Sequence, residues 1–201
     1  MIGRLAGMAR ALWFLRRPEA LQALGELTAQ RALLEQVAAD HPGIVLEAGV
    51  QLIAYAPERL HGTGVRVASG TVLSFGDEDS GYGSISIGAG SWIGQYNNIR
   101  TSADAPIEIG EKCLVSQFCT LIAANHGISR AHPVLDQPHD DRRRGVRLED
   151  DVWLGAGCVV LPGVTIARGS VIGANSVLSK STGEYEIWAG APAQRIGERP
   201  A

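Results

Sequence analysis

Long apolar runs are missing from this chain of 201 residues, and without about 18 consecutive apolar residues nothing in it reads as a membrane-spanning helix. Cysteine is scarce and odd in number, three in all with no C-x-x-C pair. That argues against a disulfide framework and against a zinc knuckle, and makes a reducing cytoplasm the expected setting. Aromatics are only 5 % of the chain, and the net charge is -3. With a pI near 5.9, general affinity for nucleic acid or for acidic membranes is not expected. What the chain does have is glycine, 25 residues of it, in a sequence that is 45 % hydrophobic. That is too apolar for disorder and describes a backbone that turns often.

The apolar residues recur neither every 3.6 positions, as in a helix, nor every two, as in a half-buried strand. Leu148, Leu154, Val160, Ile166, Ile172 and Leu178 fall six apart without a slip. Four residues after each of the first five stands a small or branched residue: Val152, Cys158, Val164, Ser170 and Ser176. Two upstream runs repeat the pattern, Ile87, Ile93 and Ile99, then Ile109, Val115 and Leu121, with a four-residue insertion between them. Glycine follows the aliphatic at Gly88, Gly94, Gly110, Gly155 and Gly173, where a tight bend would favour it.

Hexapeptide repetition predicts a parallel β-helix in which three hexads make one turn of a three-sided prism. Residues eighteen apart then stack, Leu148 on Ile166, Leu154 on Ile172 and Val160 on Leu178. Each layer lies roughly 4.8 Å above the last. The interior aliphatics stabilise by roughly 1.5–3 kcal/mol per side chain, and the open ends call for caps. Cys113, Cys119 and Cys158 fall at interior small-residue positions and read as core rather than nucleophiles.

The organisation follows. Residues 1–42 read as an N-terminal helical segment, 43–184 as the β-helix with irregular first coils over 45–75, and 185–201 as a closing segment. In the first segment Pro18 and Glu19 suit a first helical turn, and Leu21, Leu24, Leu27, Leu34 and Val37 recur at helical spacing before "DHPG" stops it. We expect one or two helices here, capping the prism or packing on a neighbouring subunit. A rival reading makes residues 2–16 an amphipathic helix on a membrane surface. Arg10, Arg16 and Arg17 argue against a cleaved signal peptide. Two loops interrupt the coils, a short one with Asp104 and Pro106 and a long one over 127–147, where binding groups usually sit.

The hexads, the stretch "DDVWLGAGCVVLPGVTIARGSVIGANSVLSK", "NH" at 125–126 followed by "DQP" at 136–138, and "WAGAPAQRI" at 188–196 together resemble the hexapeptide-repeat acyltransferases, in particular the branch that O-acetylates sugars and exopolysaccharides. The resemblance covers roughly residues 85 to 197. It implies an all-β solenoid wound as a left-handed parallel β-helix; crossover rules alone would give the opposite hand. It also implies a homotrimer, acetyl-CoA as co-substrate in a groove between chains, and a carbohydrate acceptor. No metal is expected. The chain departs from the family in lacking a proline after the last coil and in having Trp188 where a small aliphatic is commoner.

By that resemblance His126 is the catalytic residue. Trp153, Gly155, Ala156, Ala174, Lys180, Pro192 and Arg195 face the donor, and Asn97, Asn125 and Asp136 the acceptor. The chemistry is coherent, because a histidine near pKa 6.5 is neutral and basic at cellular pH and can deprotonate a hydroxyl for direct attack on the thioester. Backbone N–H groups near Gly155 and Ala156 would serve the oxyanion, and Lys180 and Arg195 the CoA phosphates. Plainer readings stand beside these. Asn97 and Asn98 suit corners with left-handed backbone. His132 and His139 read as ordinary loop residues, and Arg142, Arg143 and Arg144 as a solvated loop tip rather than an anion site. Alternatives to O-acetylation are N-acetylation of an amino sugar, a zinc carbonic anhydrase using His126, His132 and His139, and a non-catalytic assembly module.

Overall fold

The computed structural model describes residues 17–140 and 142–201; the proposed membrane-surface helix over 2–16 lies outside them. The chain divides into two compact units, one ending at Val37 and the other Ala38–Ala201. The first contains most of helix α1 (Pro18–Asp40), which carries an Arg31–Glu35 ion pair at helical spacing and exposes Leu21, Leu24 and Leu27. No helix among the described residues is long and apolar enough to cross a membrane.

The second unit is a parallel β-solenoid of short strands. Its first coil is β1 (Ile44–Leu46), β2 (Gln51–Ile53) and β3 (Leu60–Gly62). The second is β4 (Val65–Val67) and β5 (Val72–Ser74), then a hairpin of β6 (Gly76–Asp77) and β7 (Gly81–Tyr82), then β8 (Ile85–Ile87). The third is β9 (Trp92–Ile93), β10 (Asn98–Arg100) and β11 (Ile107–Ile109). The fourth is β12 (Leu114–Val115) and β13 (Thr120–Ile122), an excursion holding β14 (Asn125–His126) and β15 (His139–Asp140), and then β16 (Val146–Leu148). The fifth is β17 (Trp153–Leu154), β18 (Val159–Val160) and β19 (Val164–Ile166). β20 (Val171–Ile172) and β21 (Val177–Leu178) begin a sixth, which β22 (Glu186–Gly190) and β23 (Ala193–Glu198) close. The closing pair extends the β1 face, β22 parallel to β20 and β23 antiparallel to β22.

The expected stacking is found pair for pair: Leu148 on Ile166, Leu154 on Ile172, Val160 on Leu178. The inserted residues leave the register intact, because Ile87 still stacks on Ile109 and Leu121 on Val160. All these aliphatics are buried, as are Ser91, Cys113, Val152, Cys158, Val164, Ser170 and Ser176 four positions after most of them. Those with polar side-chain atoms have a reason the spacing alone did not give: these atoms reach the next coil. Thr71 Oγ1 donates to the Gly94 carbonyl (2.7 Å), Ser91 Oγ to Gly110 (2.7 Å), Cys113 Sγ to Glu149 (3.0 Å) and Cys119 Sγ to Gly155 (3.2 Å). The three cysteines are free and buried, and burial pushes the Cys113 thiol up, which fits core packing rather than nucleophilic chemistry.

The corners correct one expectation. The glycine directly after the aliphatic is not in a left-handed bend; it is there because another coil passes too close for a side chain. A Cβ on Gly88 would sit 2.5 Å from the Gly110 carbonyl carbon, and one on Gly155 2.6 Å from the Ala174 nitrogen. The left-handed residue comes two positions later and is often not glycine: Tyr96, Lys112, Phe118, Asp151 and Asn175 all have positive φ. Asn97, expected at such a corner, is displaced from it by one residue.

Candidate functional site

Three successive coils leave the prism at one edge, between the face of β5, β10 and β13 and the face of β8, β11 and β16. The departures are the hairpin β6–β7, the turn 101–106 and the loop 123–145, and each rests on the one before. Asp77 Oδ1 accepts from the Ser80 amide (2.7 Å) and hydroxyl (2.6 Å), closing the hairpin. The Ala103 amide donates to the Ser80 carbonyl (3.2 Å). Arg144 in turn donates to the Ala103 carbonyl (3.3 Å) and lies 3.9 Å from the Asp104 carboxylate. Arg143 lies against Gly163 and donates to the Ser179 carbonyl (2.9 Å), and Arg142 pairs with Asp140 (2.6 Å). The arginine run is therefore a set of fastenings rather than a solvated tip.

Inside the long loop, β14 and β15 form a two-residue antiparallel ladder that sets Asn125 opposite Asp140 and His126 opposite His139. Gln137 holds the loop's far side. Its Nε2 donates to the carbonyls of Ser129 (2.9 Å) and His132 (2.8 Å), and its Oε1 accepts from the Ser129 amide (2.8 Å). It is the one buried residue of the "DQP" motif, whereas Asp136 is exposed at the end of a short 3-10 turn. An open depression of about 480 Å³ lies along this ladder, lined in part by Gly127, Ser129, Gln137, His139 and Arg142. His126 is exposed, and its ring meets that of half-buried His139 edge to face, with centroids 4.9 Å apart and planes at 87°. His139 is thus no ordinary loop residue. His132 serves the loop through its carbonyl. Among the described residues no group of three or more His, Cys, Asp or Glu is placed to hold a metal ion.

The other expected site residues divide. Asn97 is buried, donating to the Gly94 carbonyl (2.8 Å) and accepting from the Cys119 amide (2.6 Å), so its amide belongs to the wall and none of it reaches an acceptor. The Gly155 N–H is given to the Ile172 carbonyl (2.8 Å) in the ladder and is not available to an oxyanion. Ala156, partly exposed, makes no such ladder donation among the bonds of the described residues, while its carbonyl accepts from Asn175 (2.8 Å). Trp153 is half exposed between Leu114 and Val171, with Nε1 donating to Ser116 Oγ (3.3 Å). Ala174, Lys180 and Pro192 are exposed, as is Asn125. Arg195 is not the free cation expected: it pairs with Glu186 (2.8 Å) and with Glu198. The groups that the sequence did not assign to the acetyl-transfer site are Gln137, His139, which was read as an ordinary loop residue or an alternative zinc ligand, and the hairpin of Asp77. Of these only Gln137 lay inside a recognised motif.

Residues 145–180 match the family model for the bacterial transferase hexapeptide (six repeats). That stretch of the chain is similar to the hexapeptide-repeat transferases. Its relatives include a galactoside O-acetyltransferase of Lactococcus lactis, 32 % identical over 55 % of this chain and 52 % of that protein. A galactoside O-acetyltransferase of Escherichia coli is 30 % identical over 50 % of this chain and 48 % of its own length. The chain thus spans about half the length of these curated relatives. Among solved structures, AntD, an N-acyltransferase from Bacillus cereus in complex with dTDP and 3-hydroxybutyryl-CoA, superposes with a TM-score of 0.64 at 22 % identity, over 79 % of this chain and 81 % of that one. That likeness is one of fold.

Proposed function

We propose that this protein moves an acetyl group from acetyl-CoA to a hydroxyl of a carbohydrate acceptor, with His126 as general base. The observation that carries this reading is an exposed imidazole fixed on a short ladder at the root of a braced loop, beside an open depression. Its support from relatives is that two galactoside O-acetyltransferases are 32 % and 30 % identical over about half of the chain and that AntD, of the same fold, is solved with an acyl-CoA.

The residues supply the following steps. Neutral His126 takes the proton of the acceptor hydroxyl as its oxygen attacks the thioester carbonyl. The Ala156 N–H is the backbone donor for the oxygen that becomes negative. The carbon–sulfur bond then breaks, and the proton held by His126 goes to the departing CoA sulfur, which regenerates the base. No covalent acyl-enzyme is needed, because the thioester is already activated. Holding donor and acceptor together turns a bimolecular encounter into an intramolecular one. Lys180, exposed beside the Arg143 contact at Ser179, is the cation assigned to the CoA phosphates in place of Arg195. In this reading the donor groove lies between neighbouring chains of a trimer.

Thiol release from acetyl-CoA, measured against a panel of galactosides, lipid-linked sugars and polysaccharides, tests the reading. His126→Ala is expected to lower kcat by about 10²–10⁴-fold, the usual worth of a general base; full activity in that variant removes His126 from the chemistry. A second reading, N-acetylation of an amino sugar, is favoured by the fold shared with an N-acyltransferase. Amino sugars in the same panel distinguish it.

A further inference from the structure

Gln137 and the Asp140–Arg142 pair fix the backbone on both sides of His139, and the ladder sets His139 directly opposite His126. Opposed residues of an antiparallel pair present their side chains to the same face of the ladder, and here the two rings are in edge-to-face contact at 4.9 Å. An exposed histidine on a two-residue strand otherwise has several rotamers open to it. Proton transfer needs one of them, because a displacement of about 1 Å at a reacting group can cost on the order of 10²-fold in rate. The burial is unequal in the sense required: His139 is half-buried and His126 exposed. The β6–β7 hairpin lies within electrostatic reach of His139. There the Asp77 carboxyl is held below the usual carboxylate range by bonds from the Ser80 hydroxyl and amide and, in smaller part, by the charge of His139.

We infer that His139 is a positioning residue, whose ring packs against His126 and holds the general base in its working rotamer. The inference rests on the reading of His126 as base. It predicts that ring shape, not ring chemistry, is what position 139 supplies.

Steady-state kinetics of thiol release from acetyl-CoA, with the acceptor preferred in the panel, separate the two claims. His139→Ala is expected to lower kcat by roughly 10- to 100-fold while KM for acetyl-CoA stays within about twofold, as expected for an effect on the chemical step alone. His139→Phe, which keeps an aromatic ring of similar reach, is expected to recover most of the lost kcat. Thermal unfolding of both variants tells a displaced ring from a collapsed loop, because collapse in His139→Ala leaves His139→Phe to decide. Wild-type kcat in His139→Ala together with an inactive His126→Ala overturns the positioning role and leaves the base in place. A well-folded but inactive His139→Phe also overturns it. An active His126→Ala overturns the reading beneath both.

Discussion

Asn97 shows how a side chain at a repeated position is claimed by the wall rather than by the site. Its amide bridges Gly94 and Cys119, and its own N–H donates to Thr71 Oγ1 (3.1 Å). Removing its side chain strands the Cys119 amide in a dry interior, while the Gly94 carbonyl keeps the Thr71 hydroxyl as donor. Asn97→Ala is therefore expected to cost about 1–3 kcal/mol, the penalty for an unsatisfied buried polar group, read as a lower urea midpoint with kcat for thiol release unchanged. The identity of this residue was visible in the sequence but its orientation was not. Asparagine suits both a left-handed corner and an interior bridge, and the difference is a one-residue shift that puts Tyr96 at the corner instead. The same holds for Arg195. A cation near the end of a family motif reads as a phosphate ligand until Glu186 and Glu198 are seen to occupy it. Position in a motif told what residue was there; only the partners told what it was free to do.

Among the elements, the closing pair of strands illustrates a local electrostatic lock. Glu186 accepts from the Gly183 amide (2.7 Å) and from Trp188 Nε1 (2.8 Å) and pairs with Arg195. The Gly183 bond first, then the Trp188 bond, holds its carboxyl below the usual range. A depressed carboxyl contributes stability that is fully present above its unfolded pKa of about 4.3 and is lost as pH falls through the lower folded value. Titrating from pH 7 downward should therefore leave the near-ultraviolet signal of Trp188 constant to about pH 4 and change it only below that; Glu186→Gln should lose that acid step. The long excursion 123–145 was legible as an interruption because the period fails there. Its internal ladder was not, since two-residue strands carry no period of their own. The hairpin of β6 and β7 went unseen for a related reason: it is short, polar and lies where the repeat had not yet become strict.

Over the whole molecule, stability follows from stacking in one dimension. Every coil contacts chiefly its neighbours, so inner coils are held from both sides and end coils from one. Leu121 is fully buried and stacked between Ile99 and Val160. Leu121→Ala is expected to cost about 2–5 kcal/mol. Amide exchange in the parent protein should be slowest around Ile99 and Leu121 and fastest toward Ile44. A uniform exchange rate along the axis would contradict a solenoid held by nearest neighbours. This part of the architecture was the most legible of all, since six-residue spacing dictates both the three walls and what stacks on what. What spacing could not convey is how the departures are arranged around the prism, because that depends on which of three equivalent edges each one interrupts.

All three departures interrupt the same edge, and the strands before and after each of them keep perfect alignment. The scaffold is thus indifferent to what is spliced in there, provided that the arginines at the splice find their carbonyls. Under the proposed function, exchanging residues 127–138 for the corresponding stretch of a relative is then expected to change acceptor preference, while His126, the arginines and the stacked coils stay in place.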